Sequence, residues 1–339
     1  MARPSPHPET WLQVRPEGLY CQPADLFIDP IRPVARAAIT HGHADHARPG
    51  HEAVLTSAET LAIMQARFGP ASVGGATTPH WHEPVTIGEV SVQLVPAGHI
   101  LGSAQVVLTW RGTRVVISGD YKRSADPTCR PFEPVACDVF VTEATFGLPV
   151  FRHPPIAGEI ATLLASVARQ PERAHVVGVY ALGKCQRVIC ELRRAGWDRP
   201  IFVHGALQSL CDLYQAHGVV LGPLLPATVA AKSAMAGGIV LAPPSAIADR
   251  WARRLPDPVV CLASGWMRVR QRAKQRGVER PLVISDHADW DELLTTIADI
   301  APGEVWVTHG AEEALVHQLQ STGQQARALA LIGRELEGS

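Results

Sequence analysis

The chain has 339 residues, 46% of them apolar and 19% charged, with a formal net charge of −1. That composition belongs to a folded protein of roughly two domains and excludes a disordered chain. A charge so near zero also excludes a global field that would draw the chain to nucleic acid or membrane, so affinity for a polyanion must come from local patches. The seven cysteines (Cys21, Cys129, Cys137, Cys185, Cys190, Cys211 and Cys261) are odd in number and form no CxxC pair. This argues against a disulfide framework and a thiolate zinc site. No apolar run approaches the ~18 residues of a membrane span. The opening "MARPSPHPETW" lacks the apolar core of a secretory signal. A cytoplasmic protein is expected, with its first ten residues a frayed tail.

In chain order, "RAAITHGHADH" is a short apolar run that ends at His41. "VSVQLVPAGH" alternates apolar and polar positions, as a half-buried strand does, and reaches His99. "RVVISGD" delivers Asp120 and "DVFVTEATFG" delivers Glu143. The middle reads differently. "AHVVGVYALGKCQRVICELRRAG" and "PIFVHGALQSLCDLYQAHG" each read as strand, turn and helix, and "GGIVLAPP" and "PVVCLASG" as further strands. Such alternation predicts a parallel sheet. Then "PLVISDHAD" delivers His287, "EVWVTHG" delivers His309, and "ALVHQLQ" predicts a closing helix. Six strand-like runs thus bring a His, Asp or Glu past a strand's carboxyl end, the edge where α/β sheets build sites. None does so between Glu143 and His287. The expected organisation is an outer domain over residues 1–150 and 282–339, with a second α/β domain inserted over 151–281.

His41, His43, Asp45 and His46 form an HxHxDH cluster. Alternate residues of an extended turn point the same way, so His41 and His43 can share one metal. Asp45 and His46, expected at the start of a helix, can face a second. The glycines beside His99 in "PAGHILGSA" let backbone pass close by. Asp120 has two oxygens and can bridge two cations. A set of nitrogen and oxygen donors suits Zn²⁺ and accepts Mn²⁺. The basic run "RVRQRAKQRGVER", residues 268–280, contains Arg268, Arg270 and Arg272 and could track a phosphate backbone. Trp266 just before it reads as a core residue more than as a platform for a base. His7, His51, His80, His82, His153, His175, His204, His217 and His317 match no motif and are assigned to surface or structure.

The metal motifs resemble the metallo-β-lactamase fold, an αββα sandwich. The resemblance implies one metal on His41, His43 and His99, a second on Asp45 and His46, Asp120 bridging, and Asp29 of "LFIDP" in support. "TEATFG", "SDHADW" and "VTHG", with the insertion between the first two, resemble the β-CASP branch, which acts on nucleic acids. By that resemblance His309 completes the second metal. His287 contacts the scissile phosphate or protonates the leaving oxygen, and Glu143 orients it. "ALGKCQR" is similar to a segment that holds substrate phosphate, which makes Lys184 and Gln186 candidates. In "GLYCQPADLFIDP", "HGHADHARPGH", "YALGKCQR" and "SGWM" the chain looks most like the bacterial ligase-associated DNA exonucleases. This implies a two-metal exonuclease in DNA repair, with an ATP-dependent DNA ligase and a helicase as functional neighbours. The alternatives are an RNA-processing nuclease, toward which His309 leans, a hydrolase of small esters or thioesters, and a non-catalytic nucleic-acid binder.

Overall fold

The computed structural model describes residues 5–329. The chain divides into two compact units, one running to Pro149 and resuming at His287, the other Val150–Asp286. The frayed tail expected over the first ten residues ends sooner. Pro8–Thr10 form a 3-10 turn capped by His7, and Trp11 is buried. Residues 1–4 lie outside the described residues.

The first unit opens with a six-stranded sheet whose spatial order follows the chain. Its strands are β1 (Leu12–Arg15), β2 (Gly18–Cys21), β3 (Leu26–Ile28), β4 (Arg36–Ala38), β5 (His51–Leu55) and β6 (Val73–Thr77). Helix α1 (Ala58–Phe68) crosses between β5 and β6 and is capped by Ser57. A second sheet takes β7 (Val85–Ile87), β8 (Val90–Pro96), β9 (Ala104–Trp110), β10 (Thr113–Ile117) and β11 (Val139–Ala144).

The other unit follows, with strands β12 (His175–Gly178), β13 (Ile201–Val203), β14 (Leu224–Pro226), β15 (Ile239–Ala242), β16 (Val259–Ala263) and β17 (Arg280–Leu282). They lie in the order β14-β13-β15-β12-β16-β17, and every pairing is parallel. Helices α2 (Ile156–Arg169), α3 (Lys184–Arg194) and α4 (Gly205–Ala216) accompany them, with the shorter α5 (Pro244–Ile247) and α6 (Arg270–Gln275). Strands β12, β13 and β15 are buried at every residue, the pattern of a parallel sheet covered on both faces. The chain returns to the first unit at His287 rather than near 282, because Arg280–Leu282 pairs with β16.

Helix α7 (Trp290–Ile300), β18 (Glu304–Gly310), α8 (Glu312–Ser321) and β19 (Gln325–Ala328) complete the first unit. Its second sheet then runs β19-β18-β11-β10-β9-β8-β7. Period-two alternation sets its two faces. Val106, Leu108, Val139, Val141 and Trp306 point into a core shared with the first sheet. Their neighbours Val107, Phe140, Val305 and Val307 point to a second core, closed by Leu293 and Ile297 of α7 and Leu315 of α8. A third, smaller core joins Ala37, Ile39 and Val54 to Met64 of α1. The unit is therefore layered helix, sheet, sheet, helices.

His175 opens β12 fully buried, with Nε2 2.9 Å from Ser166 Oγ. Burial, reinforced by Arg173 and Arg280, pushes its pKa down to about 4. An unfolded imidazole titrates near ~6.5, so between these values the unfolded chain binds more protons. This contribution is complete above pH ~6.5 and fades as the pH falls toward 4. Urea midpoints should therefore drop between pH 7 and pH 5, and His175→Gln should lessen the drop.

Candidate metal centre

Six chain segments of the first unit bring donors together. His41, His43, Asp45 and His46 follow β4, but no helix forms there. The segment is a turn closed by His46 N and Ala47 N donating to His43 O, at 3.2 and 2.8 Å. His99 and Asp120 stand three residues past β8 and β10, and Glu143 lies within β11. His287 stands three residues before α7.

His309 arrives by a distortion. Glu143 pairs with Thr308 and Ala144 with Gly310, so His309 is the extra residue of a bulge between β11 and β18. It has φ +59, in the left-handed region that non-glycine residues seldom occupy. Such bulges re-aim a side chain, and the ring of His309 stacks on that of His46 at 5.4 Å. Gly310 makes the passage possible at φ +124, since a Cβ there would run into the Ala144 carbonyl.

Two donor groups result. His41, His43, His99 and Asp120 form one, and Asp45, His46 and His309 the other, each with its atoms within 4.8 Å of one another. In the first, His43 Nδ1 lies 3.1 Å from His41 Nε2 and 3.0 Å from His99 Nε2. Asp120 Oδ2 lies 3.5 and 3.9 Å from the same two Nε2 atoms. A tetrahedral Zn²⁺ site with bonds of about 2.0–2.1 Å has edges of about 3.3 Å, so the spacing fits. In the second, His46 Nε2 and His309 Nε2 lie 3.4 and 3.9 Å from Asp45 Oδ2. Asp120 joins the groups, with Oδ2 3.4 Å from His46 Nε2 and Oδ1 3.5 Å from His309 Nδ1. Asp45 Oδ2, His46 Nε2 and both Asp120 carboxylate oxygens are buried and make no hydrogen bond among the described residues. Buried polar atoms in that condition are costly unless a further group meets them, and a cation does so.

The electrostatics agree. Burial pushes the pKa of His41 well down, helped by the neighbouring His46, which favours the neutral form that a metal would need. Burial alone would raise the Asp120 carboxyl, but His46, His309 and His287 hold it well below the usual range. Burial would lower His46, but Asp120, Asp45 and Asp29 raise it well above the ordinary value. A cation would take the place of that proton.

Asp29, whose φ is +44, orients the ligands. It accepts from Thr40 N and Thr40 Oγ1, both at 2.7 Å, and from His46 Nδ1 at 2.8 Å. Thr40 has one hydroxyl proton and gives it to Asp29, so His41 Nδ1, 3.1 Å away, must donate to Thr40. Both imidazoles thereby leave Nε2 turned to the donor group, where it could meet a metal. Thr40 escaped the motif reading because a threonine before a histidine carries no pattern of its own.

Glu143 Oε1 accepts from Tyr121 N at 2.8 Å. Its Oε2 accepts from Thr145 Oγ1 at 2.5 Å and from His287 Nδ1 at 2.9 Å. With Asp120 these residues form a third close group. The glycine beside His99 has a different use from the one expected. At φ +75, Gly98 makes room for Lys122 O and Phe132 N, so the close approach is between loops.

The remaining candidates lie in the other unit. Gln186 is buried, with Oε1 accepting from Gly183 N at 2.9 Å and Nε2 donating to Ala181 O at 3.0 Å. Its amide holds the turn before α3. Lys184 is 4% exposed and pairs with Asp286 at 3.1 Å. Arg268, Arg270 and Arg272 are exposed, and Arg272 lies over the ring of the half-buried Trp266.

No family model matches the chain. It is 28% identical over 320 residues to a probable DNA ligase of Opitutus terrae, spanning 92% of this chain and 30% of the ligase. It is 31% identical over 134 residues, 38% of this chain, to the endoribonuclease Ysh1 of Aspergillus fumigatus, of which that stretch is 15%. The chain thus spans less than a third of the length of these curated relatives. A protein of unknown function from Enterococcus faecalis shares the fold, with a TM-score of 0.59 at 14% identity over 88% of this chain and 79% of that one.

Asp29→Asn, which keeps the shape of the side chain, should weaken metal binding roughly 10–100-fold, as loss of a ligand-orienting carboxylate does. Competition with a fluorescent zinc chelator measures the change.

Proposed function

As a relative of the metallo-β-lactamase/β-CASP nucleases, this chain is, we propose, a metal-dependent phosphodiesterase of nucleic acid, and in particular a DNA exonuclease. The layered first unit corresponds to the αββα sandwich, and Val150–Asp286, with its all-parallel sheet, to the β-CASP insertion. His41, His43, His99 and Asp120 would hold one divalent cation. Asp45, His46, His309 and Asp120 would hold a second, with Zn²⁺ the best match to the donors and Mn²⁺ the next. Two such cations would supply Lewis acidity at the phosphate and a lowered pKa for water.

The observation that carries the reading is the Asp120–Glu143–His287 group beside the metal ligands. Glu143 accepts a hydrogen bond from His287 Nδ1–H, which fixes the tautomer and makes Nε2 the reactive edge. Once it has taken up a proton on Nε2, a histidine so held can give that proton to the departing oxygen of a phosphodiester. Glu143 is locked in turn by Tyr121 N and Thr145, so the dyad is pre-set. The exposed Arg268, Arg270 and Arg272 suit contact with a phosphate backbone. Lys184 is matched by Asp286 and serves the chain first.

The choice of DNA rests on extent. Similarity to the probable DNA ligase runs over 320 residues, that to the endoribonuclease over 134. The ligase match also supports a setting beside a DNA ligase; repair, an ATP-dependent ligase and a helicase neighbour belong to the proposal. Among the described residues no helix is long and apolar enough to cross a membrane, and a cytoplasmic setting is proposed with the rest. The endoribonuclease match favours RNA as the second reading.

End-labelled single strands of DNA and RNA, incubated with protein and Mn²⁺ or Zn²⁺, test this directly. We expect a ladder on DNA that falls ~10²–10⁴-fold in rate in His287→Ala. Cutting of RNA alone would move the assignment to RNA processing, and no cutting by metal-loaded protein would sink the nuclease reading. The triple change of Arg268, Arg270 and Arg272 to Gln should raise KM and flatten the salt dependence, with kcat little changed.

A further inference from the structure

Asp120 and His287 lie far apart in sequence, yet their loops are joined by a compact set of bonds. Ala288 N donates to Tyr121 O at 2.6 Å. Tyr121 N donates to Glu143, which holds His287. A closed circuit therefore runs through the Tyr121 peptide, Glu143 and His287. Besides the Arg123–Asp299 pair at 2.7 Å, the strap of Tyr121–Ser124 is held against α7, at its start, by Glu292. Its Oε2 accepts from Lys122 Nζ at 2.6 Å and from Asp289 N at 3.1 Å. Its Oε1 accepts from Ser124 N at 2.9 Å. On its other side, Lys122 N donates to Ala97 O, in the loop of His99, at 3.1 Å.

Glu292 is the third residue of α7 and closes a capping box with Asp289. Such a glutamate commonly faces water. Here it also takes a lysine whose side chain is 6% exposed. Burying an ammonium is a poor way to gain stability, because desolvation cancels much of the attraction. It is a good way to fix a distance, since the charge tolerates few other positions. Only Ala288 separates His287 from the N-cap Asp289, so the first turn of α7 has a short lever onto the imidazole.

We propose that Lys122 and Glu292 are positioning residues that set the place of His287 relative to Asp120, now 3.9 Å apart from Nδ1 to Oδ2. The inference builds on the nuclease reading for its effect on rate, but the clasp itself can be tested without it. The variants are Lys122→Met, Glu292→Gln and the conservative Lys122→Arg. One readout is the low-field imidazole N–H resonance of the His287–Glu143 bond in metal-free protein, assigned by its loss in His287→Gln. The other is kcat and KM on end-labelled DNA.

Lys122→Met and Glu292→Gln should shift or broaden the resonance and lower kcat roughly 10–100-fold, the scale of an ångström misplacement, with KM unchanged. Lys122→Arg should restore most of both. If a single variant does not fold, Lys122→Met/Glu292→Leu, which strands neither charge, carries the same test. A resonance and kcat within twofold of wild type in folded variants would overturn the proposal, as would a change confined to KM. If wild type cuts no phosphodiester, the nuclease reading fails, and the resonance alone decides the clasp.

Discussion

One carboxylate governs the first unit. Asp120 is 1% exposed, and the surrounding imidazoles hold its carboxyl well below the usual range. A charge in that setting must be answered by opposite charge or by a metal. Six imidazoles and the carboxylates of Asp45 and Glu143 make up the donor groups around it, drawn from both sheets and both stretches of the unit. The carboxyl edge of the two sheets is built around that demand.

The residues behind the donors matter as much as the donors. Asp29 and Thr40 decide which nitrogen of His41 and of His46 faces the centre. Glu143, with Tyr121 N and Thr145, does the same for His287. Both arrangements rest on a buried carboxylate accepting from backbone and side chain together, so each imidazole is oriented before a ligand arrives. That is electrostatic preorganisation, and it costs backbone strain at Asp29 and His309.

The other unit separates two kinds of basic residue. Lys184, at the start of α3, is buried and matched by Asp286. Arg268, Arg270 and Arg272, beyond β16, are solvent-facing. Desolvated charges fix position, whereas hydrated ones stay open to a partner of opposite sign. The near-neutral whole chain therefore says little about what a local face can bind.

Much of this was legible in the sequence. The HxHxDH spacing, the apolar runs ending at His99, Asp120, Glu143 and His309, and the strand–helix alternation after residue 151 all follow from local periodicity and donor chemistry. Local patterns survive folding because side-chain direction repeats every two residues in a strand. Other features depend on segments far apart in the chain, and only the tertiary structure decided them. The helix expected after Asp45 is a tight turn, because its backbone bonds close on His43 O. Gln186, a phosphate candidate by motif, holds its own loop. Thr40 and the Lys122–Glu292 pair carried no signal, since a threonine, a lysine and a glutamate acquire meaning only from the partner that burial forces on them. A strand's period is written in adjacent residues, whereas a buried charge's partner is chosen by which loops the packed sheets bring within hydrogen-bond reach.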